Sequence, residues 1–120
     1  MFELTIIENI STAHFLREYE GKCKNLHGHI WKIKATVSGN KLDKIGMVAD
    51  FALLKDKLHG ILEGIDHVCL NDLEFFKRHN PTSENLAKYV YDNYKKIIAP
   101  LKLKEVQVFE SDTAGVTYYE

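Results

Sequence analysis

The sequence predicts an α+β fold with a largely antiparallel sheet. Two stretches near the start of the chain and two near its end alternate apolar with polar residues, the period of strands with one face on a core. Between them, two stretches repeat their apolar residues at helical spacing. Strands, then helices, then strands is the order of an α+β chain, not of a parallel α/β sheet.

Each element has its own signal. Phe2, Leu4, Ile6 and Ile10 alternate with Glu3, Thr5 and Asn9 in a first strand that His14 ends. A polar loop follows, roughly Arg17 to Asn25. From His27 the alternation returns, with Trp31, Ile33, Ala35 and Val37 on one face and Ile30, Lys32, Lys34, Thr36 and Ser38 on the other. Gly39-Asn40 marks a turn. Asp50 reads as a helix N-cap, and Phe51, Leu54, Leu58, Ile61 and Leu62 form one stripe that Gly64 stops. Pro81-Thr82-Ser83-Glu84 is a second helix start, a hydroxyl cap with an acid in the first turn. Leu86, Val90, Tyr94, Ile97 and Ile98 carry its apolar face, and Pro100 ends it. Val106, Val108 and Glu110 alternate with Glu105, Gln107 and Phe109 in a third strand. Val116 and Tyr118 belong to a fourth.

The 120 residues read as one domain, residues 1–120, with no internal repeat or linker. A chain this short buries a modest core, and association with copies of itself is a natural supplement. Apolar residues at 45% and charged residues at 28% fit a globular protein. The formal net charge of -1, without a basic stripe, argues against nucleic-acid binding. No apolar run approaches the roughly 20 residues that cross a bilayer. The start MFELTIIENI carries acids at Glu3 and Glu8 and does not read as a secretory signal. Those features predict a cytoplasmic protein, where Cys23 and Cys69 stay unpaired.

Three of the six histidines crowd the first quarter of the chain. His27 and His29 are separated by one glycine, so on a strand both imidazoles share a face. His14, at the end of the neighbouring strand, is placed to supply a third. Three neutral imidazoles with an open fourth position are a normal ligand set for catalytic zinc. Taken alone, a His-x-His pair is a weak motif and reads better as two partly exposed strand residues without a metal. Cys23 lies four residues before His27, between Lys22 and Lys24. Nearby positive charge favours its thiolate, which beside an open metal position is either a fourth ligand or a base.

The segment Cys23-Lys24-Asn25-Leu26-His27-Gly28-His29 resembles the Cys-x-x-x-His-Gly-His signature of the 6-pyruvoyl-tetrahydropterin synthase family, in the form of its carboxytetrahydropterin-forming bacterial members. Thr12-Ala13-His14 resembles the family's first ligand strand, and Asp50-Phe51 its first helix start. The stretch Ile65-Asp66-His67-Val68-Cys69-Leu70-Asn71-Asp72 resembles its Leu-Asp-His-x-x-Leu-Asn-Asp element. Asn80 to Ala87 resembles the second helix start, and Phe109-Glu110-Ser111 the strand that carries a pterin-anchoring glutamate. The resemblance spans nearly the whole chain in the family's order. Ile10 stands where an aromatic is common and Ile65 where leucine is common.

The resemblance implies the tunnelling fold, a four-stranded antiparallel sheet with two helices packed on one face. It implies Zn2+ on His14, His27 and His29, Cys23 as base or proton shuttle, and an Asp66–His67 pair assisting proton transfer. It places the pterin on Glu110, with Thr82, Ser83 and Glu84 as further substrate contacts, although helix capping explains these three almost as well. It implies a homo-oligomer, a hexamer of two trimers, whose sheets join in a barrel. The polar face of the second strand would line its pore, active sites would lie between subunits, and Glu110 would serve a neighbour's zinc. The implied reaction converts 7,8-dihydroneopterin triphosphate to 6-carboxy-5,6,7,8-tetrahydropterin, releasing acetaldehyde and triphosphate, on the way to 7-deazaguanine and queuosine. The pyruvoyl-forming relative acts on the same substrate, and the short spacing from Cys23 to His27 favours the carboxy product. A rival of another class is a zinc-binding assembly protein without catalysis, which has no need of Cys23, Asp66, His67 and Glu110 together. Arg17, Lys22 and Lys24 are candidates for the triphosphate on charge alone, and surface solvation is the stronger reading of each. Cys69 is expected in the core, His59 and His79 at the surface, and Tyr89, Tyr91 and Tyr94 in helix packing.

Overall fold

A computed structural model describes residues 1–120. The strands are β1 (Phe2–His14), β2 (His27–Gly39), β3 (Lys102–Ser111) and β4 (Ala114–Tyr119), and the helices α1 (Phe51–Leu62), α2 (Glu74–Arg78) and α3 (Ser83–Ile98). The strands form one sheet in the order β1-β2-β3-β4 with every neighbour antiparallel. The expected sheet is therefore present. The expected two helices are joined by α2, whose five residues are too few to display a helical period. Phe76 buries completely from this helix. No helix is long and apolar enough to cross a membrane.

The caps read from the sequence are made. The Asp50 carboxylate accepts from the Ala52 N–H at 2.8 Å, and Thr82 Oγ1 accepts from the Asn85 N–H at 3.1 Å. Each satisfies a backbone donor that the first helical turn leaves free, worth about 1 kcal/mol. The core is a contiguous set of 21 buried apolar residues. Trp31, Ile33, Ala35 and Val37 of β2 meet Leu54, Leu58 and Leu62 of α1 and Leu86, Val90 and Tyr94 of α3 there, all almost fully buried. Tyr94 donates its hydroxyl to the Leu54 carbonyl at 2.9 Å and so joins α3 to α1.

Three expected core positions lie at the rim. Phe2, Phe51 and Ile97 are 50%, 54% and 40% exposed, because each sits at an element end or on a helix flank beyond its neighbours' reach. On the other sheet face Ile30 and Lys32 are exposed. Thr36 is buried there, beside the slip in β2–β3 register at Thr36/Val37. Cys69 is only half-buried and does not belong to the core. It pairs with Ala13 in a short parallel bridge along the free edge of β1, where the strand leaves little to cover it.

Candidate active site

The register between β1 and β2 assembles the histidines. His14 lies directly opposite His27, and Thr12 opposite His29. Opposed residues of an antiparallel pair share a face, with Cα atoms about 4.5–5.5 Å apart. All three imidazoles therefore stand on the side of Trp31, the core side. Their ring centroids are 4.5 Å (His14–His27), 5.1 Å (His14–His29) and 4.8 Å (His27–His29) apart. One ligand atom from each lies within 4.8 Å of those of the other two.

Two of the rings are pinned through the nitrogen that faces away. His14 Nδ1 is 2.7 Å from the Pro81 carbonyl oxygen and His27 Nδ1 is 2.6 Å from that of Asn25. A carbonyl only accepts, so each Nδ1 carries the proton and each Nε2 keeps a free lone pair. The Nε2 atoms of His14, His27 and His29 are buried and have no hydrogen-bond partner. Orphaned buried polar atoms are rare because they are costly, and three converging on one point fit a single cation. Burial pushes the His14 and His29 imidazoles below their usual range. The other imidazoles add to that, while Glu110 opposes it. Both rings are thus held neutral, the form that ligates a metal. The donor set suits zinc with an open position.

Glu110 reaches this point from its own chain. Its Oε1 is 3.6 Å from His29 Nε2, and its Oε2 accepts from the Ser83 hydroxyl at 3.3 Å. The expectation is that Glu110 serves a neighbour's metal; the single chain sets it beside its own His29. The place of Glu110 in β3 puts it on the Trp31 face, one step beyond the paired residues Ile33 and Val108, so no second chain is needed to bring it there. Thr82 caps α3, and Glu84 is exposed in that helix's first turn. Ser83 alone of the three touches the site's carboxylate.

Cys23 sits on a single helical turn, Lys22–Lys24. The Cys23 carbonyl accepts from the Leu16 N–H at 2.7 Å, two residues past His14. Asn25, at the other end of the turn, holds His27. The turn is therefore fastened on both sides to residues that neighbour the cluster, and the half-buried thiol rides on it.

Asp66 and His67 are held elsewhere, on the free edge of β1. Asp66 Oδ1 accepts from the Ser11 N–H at 2.8 Å and from His67 Nδ1 at 2.9 Å. The His67 N–H donates to the Ser11 carbonyl at 2.6 Å. These bonds hold His67 at a φ of 58°, which costs a non-glycine residue about 1–2 kcal/mol. Asp66 is kept below the usual carboxylate range, chiefly by the Ser11 N–H. The His67 side chain is 78% exposed. It lines a cleft with Ser11, Thr12, Ala13, Gly28, His29, Ile30, Val68 and Cys69. Ser11 and Ala13 point away from the His14 side, and of the three clustered histidines the cleft includes His29.

Sequence reasoning missed the clamp that carries the segment after His14. Asn71 pairs through its amide with the Phe15 N–H and carbonyl, both at 3.0 Å, and Asn80 does the same for Arg17 at 3.0 and 3.1 Å. Each asparagine side chain imitates a strand neighbour. Both residues stand in the motifs noted above, but nothing in a sequence says which backbone an amide will meet.

This fold and this cluster together define a family. The sequence model of the 6-pyruvoyl tetrahydropterin synthase family matches residues 3–120, and the chain belongs to that family. It is 40% identical over 119 residues to the 6-carboxy-5,6,7,8-tetrahydropterin synthase of Bacillus subtilis (strain 168), covering 93% of this chain and 80% of that protein. It is 37% identical over 102 residues to the 6-pyruvoyl tetrahydrobiopterin synthase of Homo sapiens, covering 82% of this chain and 70% of that one. The structure of Caenorhabditis elegans 6-pyruvoyl tetrahydropterin synthase superposes with a TM-score of 0.90 at 31% identity, over 99% of this chain and 95% of that chain.

Proposed function

We propose that the protein is a zinc-dependent 6-carboxytetrahydropterin synthase, a lyase that takes 7,8-dihydroneopterin triphosphate to 6-carboxy-5,6,7,8-tetrahydropterin, acetaldehyde and triphosphate. The place of that reaction is in 7-deazaguanine and queuosine synthesis. The observation that carries the reading is the convergence of three buried, unpartnered Nε2 atoms beside a carboxylate. The 40% identity to the Bacillus subtilis enzyme supports the carboxy product.

His14, His27 and His29 hold the metal in this reading. Zinc there supplies a Lewis acid that acidifies the hydroxyls of the substrate's side chain and stabilises developing negative charge. Glu110 accepts from the 2-amino group and ring N–H of the pterin, a bidentate match, and Ser83 donates to its Oε2 to hold it in that pose. Cys23, as thiolate, takes a proton from a side-chain carbon. Asp66 fixes the His67 tautomer with Nδ1 protonated, so that Nε2 is the atom that exchanges a proton with a side-chain oxygen. In this reading His67, exposed on the β1 edge, serves the site of an adjoining copy in a hexamer of two trimers.

Atom balance separates the two products. Losing the last two side-chain carbons as acetaldehyde takes up one water, whereas the pyruvoyl product forms without it. The test is turnover of 7,8-dihydroneopterin triphosphate by zinc-loaded protein in 18O-labelled water, followed by mass spectrometry. Acetaldehyde with carboxytetrahydropterin is expected, together with label incorporated in those products. A pyruvoyl product without acetaldehyde would assign the chain to the reaction named for its human relative. No turnover with zinc bound would leave the assembly protein as the reading.

A further inference from the structure

The substrate proposed above has three parts: a flat pterin, a short hydroxylated chain, and a triphosphate at the far end. Two of them have a place. The pterin belongs on Glu110, and the hydroxyls belong at the three Nε2 atoms. The order of contacts then gives the molecule a direction. Glu110 touches His29, His29 adjoins His27, and His27 is bonded to the carbonyl of Asn25. Asn25 closes the turn that carries Lys22 and Lys24, its N–H donating to the Lys22 carbonyl at 3.0 Å. The turn therefore adjoins the His27 end of the cluster, the end opposite the His29–Glu110 contact.

The turn is chemically equipped for what arrives. Glu20, Gly21, Lys22, Lys24 and Asn25 line an open cavity of about 590 Å³ without an apolar side chain. Five of the chain's twelve other lysines are engaged. Lys77, Lys88, Lys95 and Lys104 each pair with a carboxylate, and Lys34 lies over the Phe109 ring. Arg17 donates one guanidinium N–H to the Phe76 carbonyl at 2.8 Å, which ties its side chain to α2. Lys22 and Lys24 take part in no ion pair. Glu20 is the one anion lining the cavity, so cations outnumber it two to one.

We propose that Lys22 and Lys24, on the turn between Cys23 and the metal ligands, bind the triphosphate of the substrate. This rests on the pterin-synthase reading. Lysine serves as a point charge for phosphate without the fixed fork of arginine, which suits a group that must leave. The same cations that seat the triphosphate also offset the charge it carries away. Glu20 opposes binding, and its repulsion limits how tightly the released triphosphate is retained.

The test compares two ligands on the full-length, zinc-loaded protein: 7,8-dihydroneopterin triphosphate, read as kcat/KM, and unphosphorylated 7,8-dihydroneopterin, read as Kd by fluorescence titration. The Lys22→Gln/Lys24→Gln variant is expected to lose roughly tenfold or more in kcat/KM for the triphosphate, as charged hydrogen bonds do when removed. Its Kd for the unphosphorylated pterin and its zinc content stay at the parent values. Glu20→Gln acts in the opposite direction and raises kcat/KM for the triphosphate. Equal losses for both ligands, or no loss for either, overturn the proposal. If the parent protein turns nothing over, the pterin-synthase reading fails by itself. The triphosphate is then not consumed, its Kd is measured directly, and an unchanged Kd in the lysine variant sinks this proposal as well.

Discussion

His14 Nδ1 lies 2.7 Å from the carbonyl oxygen of Pro81, a residue 67 positions further along the chain. That bond sets the His14 tautomer and aims its Nε2 at those of His27 and His29. It also ties the metal centre to the start of α3, where Thr82 caps the helix and Ser83 holds Glu110. One turn of chain thereby orients both His14, of the three-histidine cluster, and the Glu110 carboxylate beside it.

Because the His14 side chain is buried and its ligand atom has no other use, His14→Ala is expected to empty the centre. Metal analysis should find zinc reduced from one ion per chain to a small fraction of that. The fold should weaken by about 2–4 kcal/mol, since a buried ring is replaced by a void. Zinc retained at parent stoichiometry would show that the three-histidine set is not the site.

Glu110→Gln isolates the other half of the arrangement. The amide keeps the shape but presents a donor where the pterin also donates. A loss of about 10- to 100-fold in kcat/KM is expected, the range for one charged hydrogen-bonding group, with zinc content unchanged. Equal kinetics in the variant would remove Glu110 from substrate binding.

The architecture was legible where a local rule decides it. Alternation gave β1 and β2, and the caps at Asp50 and Thr82 gave two helices, since each signal lies within a few residues. The three histidines were legible because two share a strand face, and the third ends a strand that pairs with it. What stayed hidden depends on long-range meetings. The Pro81 carbonyl on His14, the Asn71 and Asn80 clamps, and the Ser11 bonds that hold His67 all join residues more than 50 positions apart. The helix α2 was hidden because five residues are too short for a period to show. Glu110 was read to the right face, and only its reach to His29 in the same chain required the register of β2 against β3.

His59 offers a pH signature away from the active site. It bridges β1 and α1, with Nδ1 2.6 Å from a Glu8 oxygen and Nε2 3.2 Å from a Glu63 oxygen. The hydrogen bond to Glu8 raises its pKa above the usual 6.5. A raised histidine pKa means that the folded chain binds the proton more tightly, so the contribution is fully present below about pH 6.5 and fades as the pH rises through the folded value. The melting temperature of His59→Gln should fall short of the parent's near pH 6, and the gap should close by about pH 9. A gap that widens with pH would contradict the assignment, and comparing the two proteins at each pH cancels the effect of the buried histidines.

Asp66→Asn tests the pair on the β1 edge. The Asp66 carboxylate accepts from the Ser11 N–H and from His67 at once. An amide oxygen can still take the Ser11 bond, but it supports a protonated imidazole far less. If His67 moves a proton in the reaction, kcat should fall by about 100-fold or more, while zinc content and melting temperature change little. A fall in stability without a fall in kcat would make the pair a structural latch for the Asp66–Cys69 segment.

Cys23→Ala then separates the two roles its position allows. The thiol rides on a turn fastened to Leu16 on one side and to His27 on the other, so the backbone has reason to stay in place when sulfur is removed. As a base, Cys23 is needed for proton removal from carbon but not for holding zinc. Turnover should then drop below detection while zinc stays at one ion per chain. As a fourth ligand it is needed for both, and zinc content should fall with activity. Cys23→Ser sharpens the distinction, because a hydroxyl is far less acidic than a thiol and fails as a base at neutral pH. Full zinc occupancy with lost turnover in both variants is the outcome expected for a thiolate acting on the substrate.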